Sequence, residues 1–277
     1  MTLSNNRKIK LGLALGSGGA KGACHLGALK AFEEENIKFE VFSGASIGSL
    51  MGALLARGYG VDDIFAITDE MWKNKKMALL SVMDGGLISV FRSVMGGAYF
   101  SDLKYPFSAV ASDMISGEEV VFKNGDLSIA LAASCAIPPT FRPVNYRGLR
   151  LVDGAFLNAV PADKCVADGA EMVIGINLSA GMNMNTSGKE VLDNMYPENR
   201  IPVTDRSKWG YKYSAFMIEP DLSEYRGYSV SRMDEMYEIG YKEAKRKMPI
   251  IKAAIEAKDI YTEKDFEIAR ERKVIKI

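Results

Sequence analysis

Phe39-Glu40-Val41-Phe42-Ser43-Gly44-Ala45-Ser46-Ile47-Gly48 is an extended segment that enters Gly-x-Ser-x-Gly and passes at once into residues of helical periodicity. This is the pattern of a nucleophile elbow. A strand that turns into a helix within one residue forces two backbones together, and residues lacking a Cβ, here Gly44 and Gly48, permit that approach. The turn leaves the Ser46 hydroxyl standing at the strand end. The first turn of the helix supplies unpaired N–H groups and a positive dipole end, which favour a negative oxygen forming beside the serine. An ordinary strand-to-helix turn is the competing reading of these residues alone. The context favours the elbow: Phe39, Val41 and Phe42 are strand formers, and Ile47, Leu50, Met51, Leu54 and Leu55 recur at helical spacing up to a stop at Arg57-Gly58.

Upstream, residues 9 to 15 (Ile-Lys-Leu-Gly-Leu-Ala-Leu) predict a buried first strand, and Gly16-Ser17-Gly18-Gly19-Ala20-Lys21-Gly22 opens a helix after it. Such a loop presents backbone N–H groups that can hold a phosphate or an oxyanion. It does not match a dinucleotide fingerprint, whose third glycine would fall at Lys21, nor a Walker loop, which needs Gly-Lys-Ser/Thr. No nucleotide is therefore expected. The helix from about residue 20 to 35 carries His25, Ala28, Leu29 and Phe32 on one apolar stripe. His25 is the only histidine of the chain, whereas an elbow hydrolase of the Ser/His/Asp type keeps its histidine late, after the acid. Either His25 is a base from an unusual place or the base is not histidine.

Downstream, Asp62 and Asp63 start a helix through Trp72, and residues 73 to 105 are irregular, with a basic Lys73-Asn74-Lys75-Lys76 knot and apolar runs Met77 to Met83 and Leu87 to Met95. A lid over an apolar substrate and an amphipathic helix pair packed on the core fit equally well; in the first case Leu87 to Met95, including Phe91, would touch a lipid interface. Order returns with a strand over 107–113, a turn, and a hairpin partner over 119–122. A helix over about 126–135 is broken at Pro138-Pro139. Residues 142 to 147 read as irregular chain, and Leu149 to Val152 as a short strand ending in Asp153-Gly154-Ala155, which frees an aspartate to face a site or simply marks a turn. Residues 171–178 read as a buried strand, 180–205 as a surface loop, Tyr213 to Glu219 as an edge strand, and two helices (229–247 and 250–257) close the pattern. No internal repeat or low-complexity linker is found.

The 277 residues are enough for one α/β domain with a large core. Thirty-five basic residues balance 35 acidic ones without a long single-sign run, which argues against nucleic acid as a partner. Cys24, Cys135 and Cys165 form no CxxC pair, and their odd number points to a reducing compartment and buried thiols. Neither a signal peptide nor a membrane-spanning stretch is expected from the N-terminal residues, so cytoplasmic residence is the default expectation. No HExxH, cysteine cluster or calcium loop calls for a metal, and no cofactor is expected.

Gly18-Gly19-Ala20-Lys21-Gly22, Gly44-Ala45-Ser46-Ile47-Gly48 and Asp153-Gly154-Ala155, in that order, together resemble the patatin-like phospholipase family, as does Ala133-Ser134-Cys135-Ala136-Ile137-Pro138-Pro139-Thr140-Phe141. The resemblance covers about residues 9 to 178. It implies a three-layer α/β/α fold with a mainly parallel central sheet, of the FabD/lysophospholipase-like kind, in a single domain over 1–277 whose C-terminal strand and helices (about 205–277) complete the core. It also implies a Ser/Asp dyad, Ser46 as nucleophile and Asp153 as base, with an oxyanion hole from Gly18, Gly19, Ala20, Lys21, Gly22 and Ile47. His25 corresponds to a family histidine that is not catalytic. Lys21 stands where arginine is frequent and Ala155 where glycine is, which bears on rate or substrate rather than mechanism. The expected activity is hydrolysis of fatty acyl esters of phospholipids, lysophospholipids or other glycerides, with possible peripheral membrane contact. Transfer of the acyl group to another acceptor, and lipid binding without catalysis, are the alternatives.

Overall fold

Alternate residues of each central strand face two different cores, and this alternation builds the molecule's three layers. The protein is described by a computed structural model over residues 8–74, 83–180, 187–258 and 274–277. β1 (Leu11–Leu15) leads through a 3-10 turn (Gly19–Gly22) into α1 (Ala23–Glu34). β2 (Val41–Ala45) leads into α2 (Ile47–Arg57), then α3 (Val61–Lys73) and α4 (Gly86–Met95). The hairpin β3 (Phe107–Asp113) and β4 (Glu119–Phe122) is followed by α5 (Leu127–Cys135), β5 (Val144–Tyr146), β6 (Leu149–Asp153) and α6 (Ala162–Ala167). The remaining elements are β7 (Met172–Ile176), α7 (Ser187–Met195), α8 (Lys208–Tyr213), β8 (Phe216–Ile218), α9 (Met233–Ala257) and β9 (Ile275–Lys276).

Leu11, Leu13 and Leu15 of β1, Phe42 of β2 and Met172, Ile174 and Ile176 of β7 join the larger core with α1, α2 and α9. Their neighbours Ala14, Val41 and Val173 face the opposite way, onto α6 and α8. Both faces are apolar, so the strands read as continuous hydrophobic runs rather than an alternation with polar residues. β2, β1, β7 and β8 pair in parallel, and β3 joins β2 in parallel. The fold is therefore the expected α/β type with a mainly parallel centre, and β4, β5 and β6 form an antiparallel margin.

One register detail positions the chemistry. Val110 pairs with Ala45 of β2 on one side and Val121 of β4 on the other, whereas Ala111 pairs with Val120 of β4 and Asp153 of β6. β2 and β6 thus share one edge of β3, meeting end to end from opposite directions. The end of β2 is Ala45, immediately before Ser46, and the end of β6 is Asp153.

α1 and α9 pack at backbone distance. A Cβ on Gly27 would lie 1.9 Å from the Tyr237 carbonyl oxygen, and one on Gly240 would lie 2.2 Å from that of Cys24. Only hydrogen at both positions lets the helices meet, and the Cys24 thiol donates to the Met236 carbonyl at 2.8 Å across the same contact.

Four expectations change. Residues 142 to 147 are not irregular: Val144–Tyr146 is β5, turned onto β6 by Arg147 (φ 50°) and Gly148 (φ 78°). Two successive positive φ values make the tight turn that matches strand twist. The 180–205 stretch contains α7, whose Leu192 is fully buried against Met114, Val152 and Phe156; residues 181–186 lie outside the described residues. The two closing helices are one, since α9 runs through Pro249, which is exposed where water can serve the carbonyl that proline leaves without a donor. Finally, Leu87, Val90, Phe91 and Met95 of α4 are buried in the core, so this helix is packing and not a lipid-facing surface. The Lys75-Lys76 part of the basic knot and residues 77–82 of the apolar run beside it lie outside the described residues.

Candidate active site

Ser46 stands where β2 becomes α2, at φ 55° and ψ −129°, a region of backbone space that glycine favours. Holding a serine there costs about 1–3 kcal/mol. Hydrogen bonds over-determine the conformation. The Ser46 amide donates to the Ser134 hydroxyl at 2.9 Å, and the Ser46 carbonyl accepts from the Ser49 amide at 2.8 Å and the Ser49 hydroxyl at 2.6 Å. The flanking glycines are sterically required. A Cβ on Gly44 would lie 2.2 Å from the Gly48 carbonyl oxygen, and one on Gly48 would lie 2.1 Å from that of Leu15.

Asp153 reaches the same point from β6. Its turn hugs β3 so closely that a Cβ on Gly154 would lie 2.2 Å from the Val110 carbonyl oxygen, which explains the glycine of Asp-Gly. Its carboxylate accepts the Ala155 amide at 2.9 Å and interacts with the Ser46 hydroxyl. With only 2% of the residue exposed, burial pushes the Asp153 carboxyl up to about 6 against the opposing pull of Ser46, the Ala155 amide and the charge of Arg206. Residues 134–136 tie the two sides together: the Asp153 amide donates to the Ala136 carbonyl at 2.9 Å, while Ser134 holds Ser46. Cys135, between them, feels both Ser46 and the Asp153 charge; burial pushes its thiol far up, so it stays protonated.

The glycine loop meets the elbow at two contacts. A Cβ on Gly22 would lie 2.6 Å from Ile47 Cγ1, and one on Gly48 would lie 2.7 Å from the Gly16 carbonyl oxygen. The loop's amides divide into two sets. Those of Gly16, Ser17, Ala20 and Lys21 donate to the carbonyls of Ile176 (3.0 Å), Ala159 (3.1 Å), Gly227 (2.7 Å) and Gly18 (3.2 Å). The Ala20 and Lys21 amides therefore frame the loop and are not available as oxyanion donors, contrary to expectation. Among the described residues, the amides of Gly18, Gly19 and Ile47 have no such partner. Gly19 adopts φ +59°, with Gly227 so close that a Cβ would lie 2.4 Å from its oxygen. The Lys21 side chain turns inward, its ammonium donating to the Leu222 carbonyl at 3.3 Å, and burial lowers its affinity for a proton.

His25 is fully buried and makes a 2.8 Å hydrogen bond from Nε2 to the Gly16 carbonyl. Since a carbonyl can only accept, Nε2 carries the proton. Burial pushes the ring down to about 4, so it is neutral at physiological pH. It braces the start of the glycine loop.

Four participants had no clear sequence signal. Ser134 and Ala136 belong to a block noted for its composition, but their hydrogen bonds are tertiary. Gly227 sits in an unremarkable polar stretch. Arg206, half-buried, lies just past the stretch that reads as a surface loop (180–205); its carbonyl accepts the Ala159 amide at 2.8 Å, and its charge acts on Asp153. Among the described residues there is no cluster of metal-binding side chains and no helix long and apolar enough to cross a membrane.

An uncharacterized NTE family protein of Mycobacterium tuberculosis is 30% identical over 178 residues, covering 61% of this chain and 49% of that protein. Patatin-like phospholipase domain-containing protein 6 of Mus musculus is 27% identical over 277 residues, covering 85% of this chain and 20% of that protein. The chain thus spans half or less of the length of these curated relatives. Among solved structures, VipD from Legionella pneumophila superposes with a TM-score of 0.54 at 15% identity, over 89% of this chain and 67% of that one. Human GIVD cytosolic phospholipase A2, in complex with methyl gamma-linolenyl fluorophosphonate, gives 0.54 at 12% identity, over 90% and 59%. These two share the fold. The family profile described as patatin-like phospholipase matches residues 13–166, from β1 through the elbow and the Asp-Gly turn to α6, and the chain belongs to that family, whose members are lipid hydrolases.

Proposed function

We propose that the chain is a serine lipid acyl hydrolase that cleaves fatty acyl esters of phospholipids, lysophospholipids or related glycerides through an acyl-serine intermediate. The observation that carries the reading is the meeting of Ser46 and Asp153 at the facing ends of β2 and β6, with the hydroxyl interacting with a carboxylate pushed up to about 6. A carboxylate at that level is ionised at neutral pH, yet basic enough to take the serine proton and acidic enough to return it.

As Ser46 Oγ attacks the ester carbonyl, its proton passes to Asp153. The carbonyl oxygen becomes an oxyanion, for which the amides of Gly18, Gly19 and Ile47 are the available donors, each worth about 3–4 kcal/mol in the barrier if it is placed well. Collapse expels the alcohol, which takes the proton from Asp153 and leaves the acyl group on Ser46. Water then gives a proton to Asp153 as it attacks the acyl ester, and Ser46 recovers that proton as the fatty acid departs. His25, neutral and bonded to Gly16, has no part in these transfers. The same reading takes the described segments as one domain, because α9 and the stretch around Gly227 contact α1 and the glycine loop at backbone distance.

The test is covalent. A fluorophosphonate, the inhibitor class held by the human phospholipase structure, is incubated with the protein, and the adduct is located by peptide mass spectrometry. An adduct on Ser46, absent from Ser46→Ala, is expected. Folded protein that stays unlabelled with detergent or lipid present would overturn the proposal.

A further inference from the structure

Four polar side chains are buried together outside the reacting pair: Glu119 at the start of β4, Asn158, and Asp163 and Lys164 in the first turn of α6. The Lys164 ammonium lies 3.1 Å from Glu119 Oε1 and 2.7 Å from Asp163 Oδ2. Two carboxylates thus share one ammonium, and the Asn158 amide adds two further donors. Its Nδ2 donates to Glu119 Oε1 at 3.1 Å and to Asp163 Oδ1 at 2.9 Å. Both acceptors are carboxylate oxygens, so the nitrogen of Asn158 must be the end that faces them. An aspartate in its place would set a third carboxylate against the other two, and an apolar residue would take a donor away from each.

Asn158 also closes the turn that presents the base. Its backbone amide donates to the Gly154 carbonyl at 2.9 Å, while the Ala155 amide donates to the Asp153 carboxylate at 2.9 Å. Glu119 reaches the same turn by a second route, because its cross-strand partner Ser112 donates its hydroxyl to the Asp153 carbonyl at 3.0 Å. On the other side of Asn158, the Ala159 carbonyl accepts the Ser17 amide at 3.1 Å, and a Cβ on Gly16 would lie 3.4 Å from that same oxygen. The stretch 153–159 therefore carries Asp153 at one end and an anchor of the glycine loop at the other. The side chain that pins this stretch to β4 and α6 sits next to the anchor.

We propose that Asn158 is a positioning residue: held by buried Glu119, Asp163 and Lys164, it fixes residues 153–159 as one rigid link, so that Asp153 and the glycine loop keep a single placement relative to each other. This rests on the hydrolase reading above and adds how the base and the oxyanion donors of that reading are kept in register. Asn158 takes no part in the proton transfers. Its effect falls on the transition state rather than on substrate binding, because a misplacement of about 1 Å between reacting groups costs about 100-fold in rate.

The experiment compares Asn158→Ala with Ile64→Ala, a truncation of a fully buried side chain on α3, which carries no residue of the site. The readouts, taken well below both melting temperatures, are the rate at which a fluorophosphonate labels Ser46, kcat and KM on a nitrophenyl fatty acyl ester, and amide hydrogen exchange followed by mass spectrometry. Asn158→Ala is expected to slow labelling and kcat by about 10- to 100-fold while KM stays within about threefold. It should also lose amide protection over 153–159 and 16–22 together. Ile64→Ala should leave labelling, kcat and the protection of these two stretches as they are. Unchanged labelling in folded Asn158→Ala overturns the proposal, and so does a loss of protection over 153–159 with 16–22 still protected. Should Asn158→Ala not fold, Asn158→Ser, which keeps one donor, is read against the same outcomes. If Ser46 of the unsubstituted protein takes no fluorophosphonate and the ester is not cleaved, the hydrolase reading fails, and hydrogen exchange still decides whether Asn158 holds the two stretches as one.

Discussion

Replacing Asp153 by asparagine is expected to abolish ester hydrolysis and, at the same time, to make the protein more stable in a way that depends on pH. The carboxyl is buried, and its folded value of about 6 lies above the ordinary 3.8. The fold therefore holds the proton more tightly than the unfolded chain does. The stability associated with the protonated group is fully present below 3.8, is lost as pH rises through about 6, and stays lost above that. At 1.36 kcal/mol for each tenfold in proton affinity, ionised Asp153 opposes folding by about 3 kcal/mol at pH 8. Asparagine has nearly the same shape and can still accept from Ala155, but it has no charge to bury. Guanidinium unfolding of both proteins from pH 4 to pH 8 should show stabilities that converge near pH 4 and separate by about 3 kcal/mol at pH 8, with Asp153→Asn the more stable. Groups common to both proteins, His25 included, cancel in the difference. The acid limb of kcat/KM in the unsubstituted protein should be centred near pH 6, where the separation of the curves levels off. Parallel stability curves would refute the claim that Asp153 is a buried, destabilised base.

Ser46→Ala and Ser46→Gly should both lose ester hydrolysis by at least about 1,000-fold, but the glycine variant should be the more stable in thermal melts by about 1 kcal/mol, because it alone relieves the φ of 55°. Ser134→Ala leaves the Ser46 amide without its acceptor; kcat should fall more than KM changes, with a stability loss of about 1–3 kcal/mol by denaturant titration. Gly154→Ala should cost more than about 3 kcal/mol or prevent soluble expression, since its Cβ would meet a backbone oxygen, whereas Gly85→Ala, at φ +67° with nothing within 4 Å, should cost only about 1 kcal/mol. His25→Gln can still donate to Gly16 and should keep most of the turnover. Because the folded ring sits near 4, below its ordinary 6.5, its stabilising contribution is present above pH 6.5 and fades as pH falls toward 4, so the glutamine variant should lose less stability over that window in matched melts.

The elbow, the glycine loop and the Asp-Gly turn were legible because each obeys a local steric rule, glycine where a Cβ has no room, and such rules leave a mark in sequence. The β1 position followed from the unbroken apolar run Leu11 to Leu15, which a doubly covered strand buries, and β2 from the strand formers Phe39, Val41 and Phe42 ahead of the elbow. Other features depend on partners far along the chain. The Arg147-Gly148 turn lacks the asparagine or aspartate that usually advertises a two-residue hairpin, so β5 passed for irregular chain. Pro249 suggested a break that an exposed helix face tolerates. The apolar stripe of α4 could not reveal whether it faced core or lipid, because both ask for the same residues. Arg206 and Gly227 act through backbone bonds to Ala159 and Ala20, 47 and 207 positions away, and nothing in their own neighbourhoods announces this.

The bond from the Ala20 amide to the Gly227 carbonyl has a consequence for synthesis. In a chain made from its N-terminus, Ser46 emerges more than 100 residues before Asp153, and the glycine loop waits longer still for the segment that fixes Gly19 and Ala20 in place. A product that stops short of Gly227 therefore lacks the carbonyl that holds the Ala20 amide and so carries an unframed glycine loop. Completion of the glycine loop is thus coupled to synthesis of the segment around Gly227.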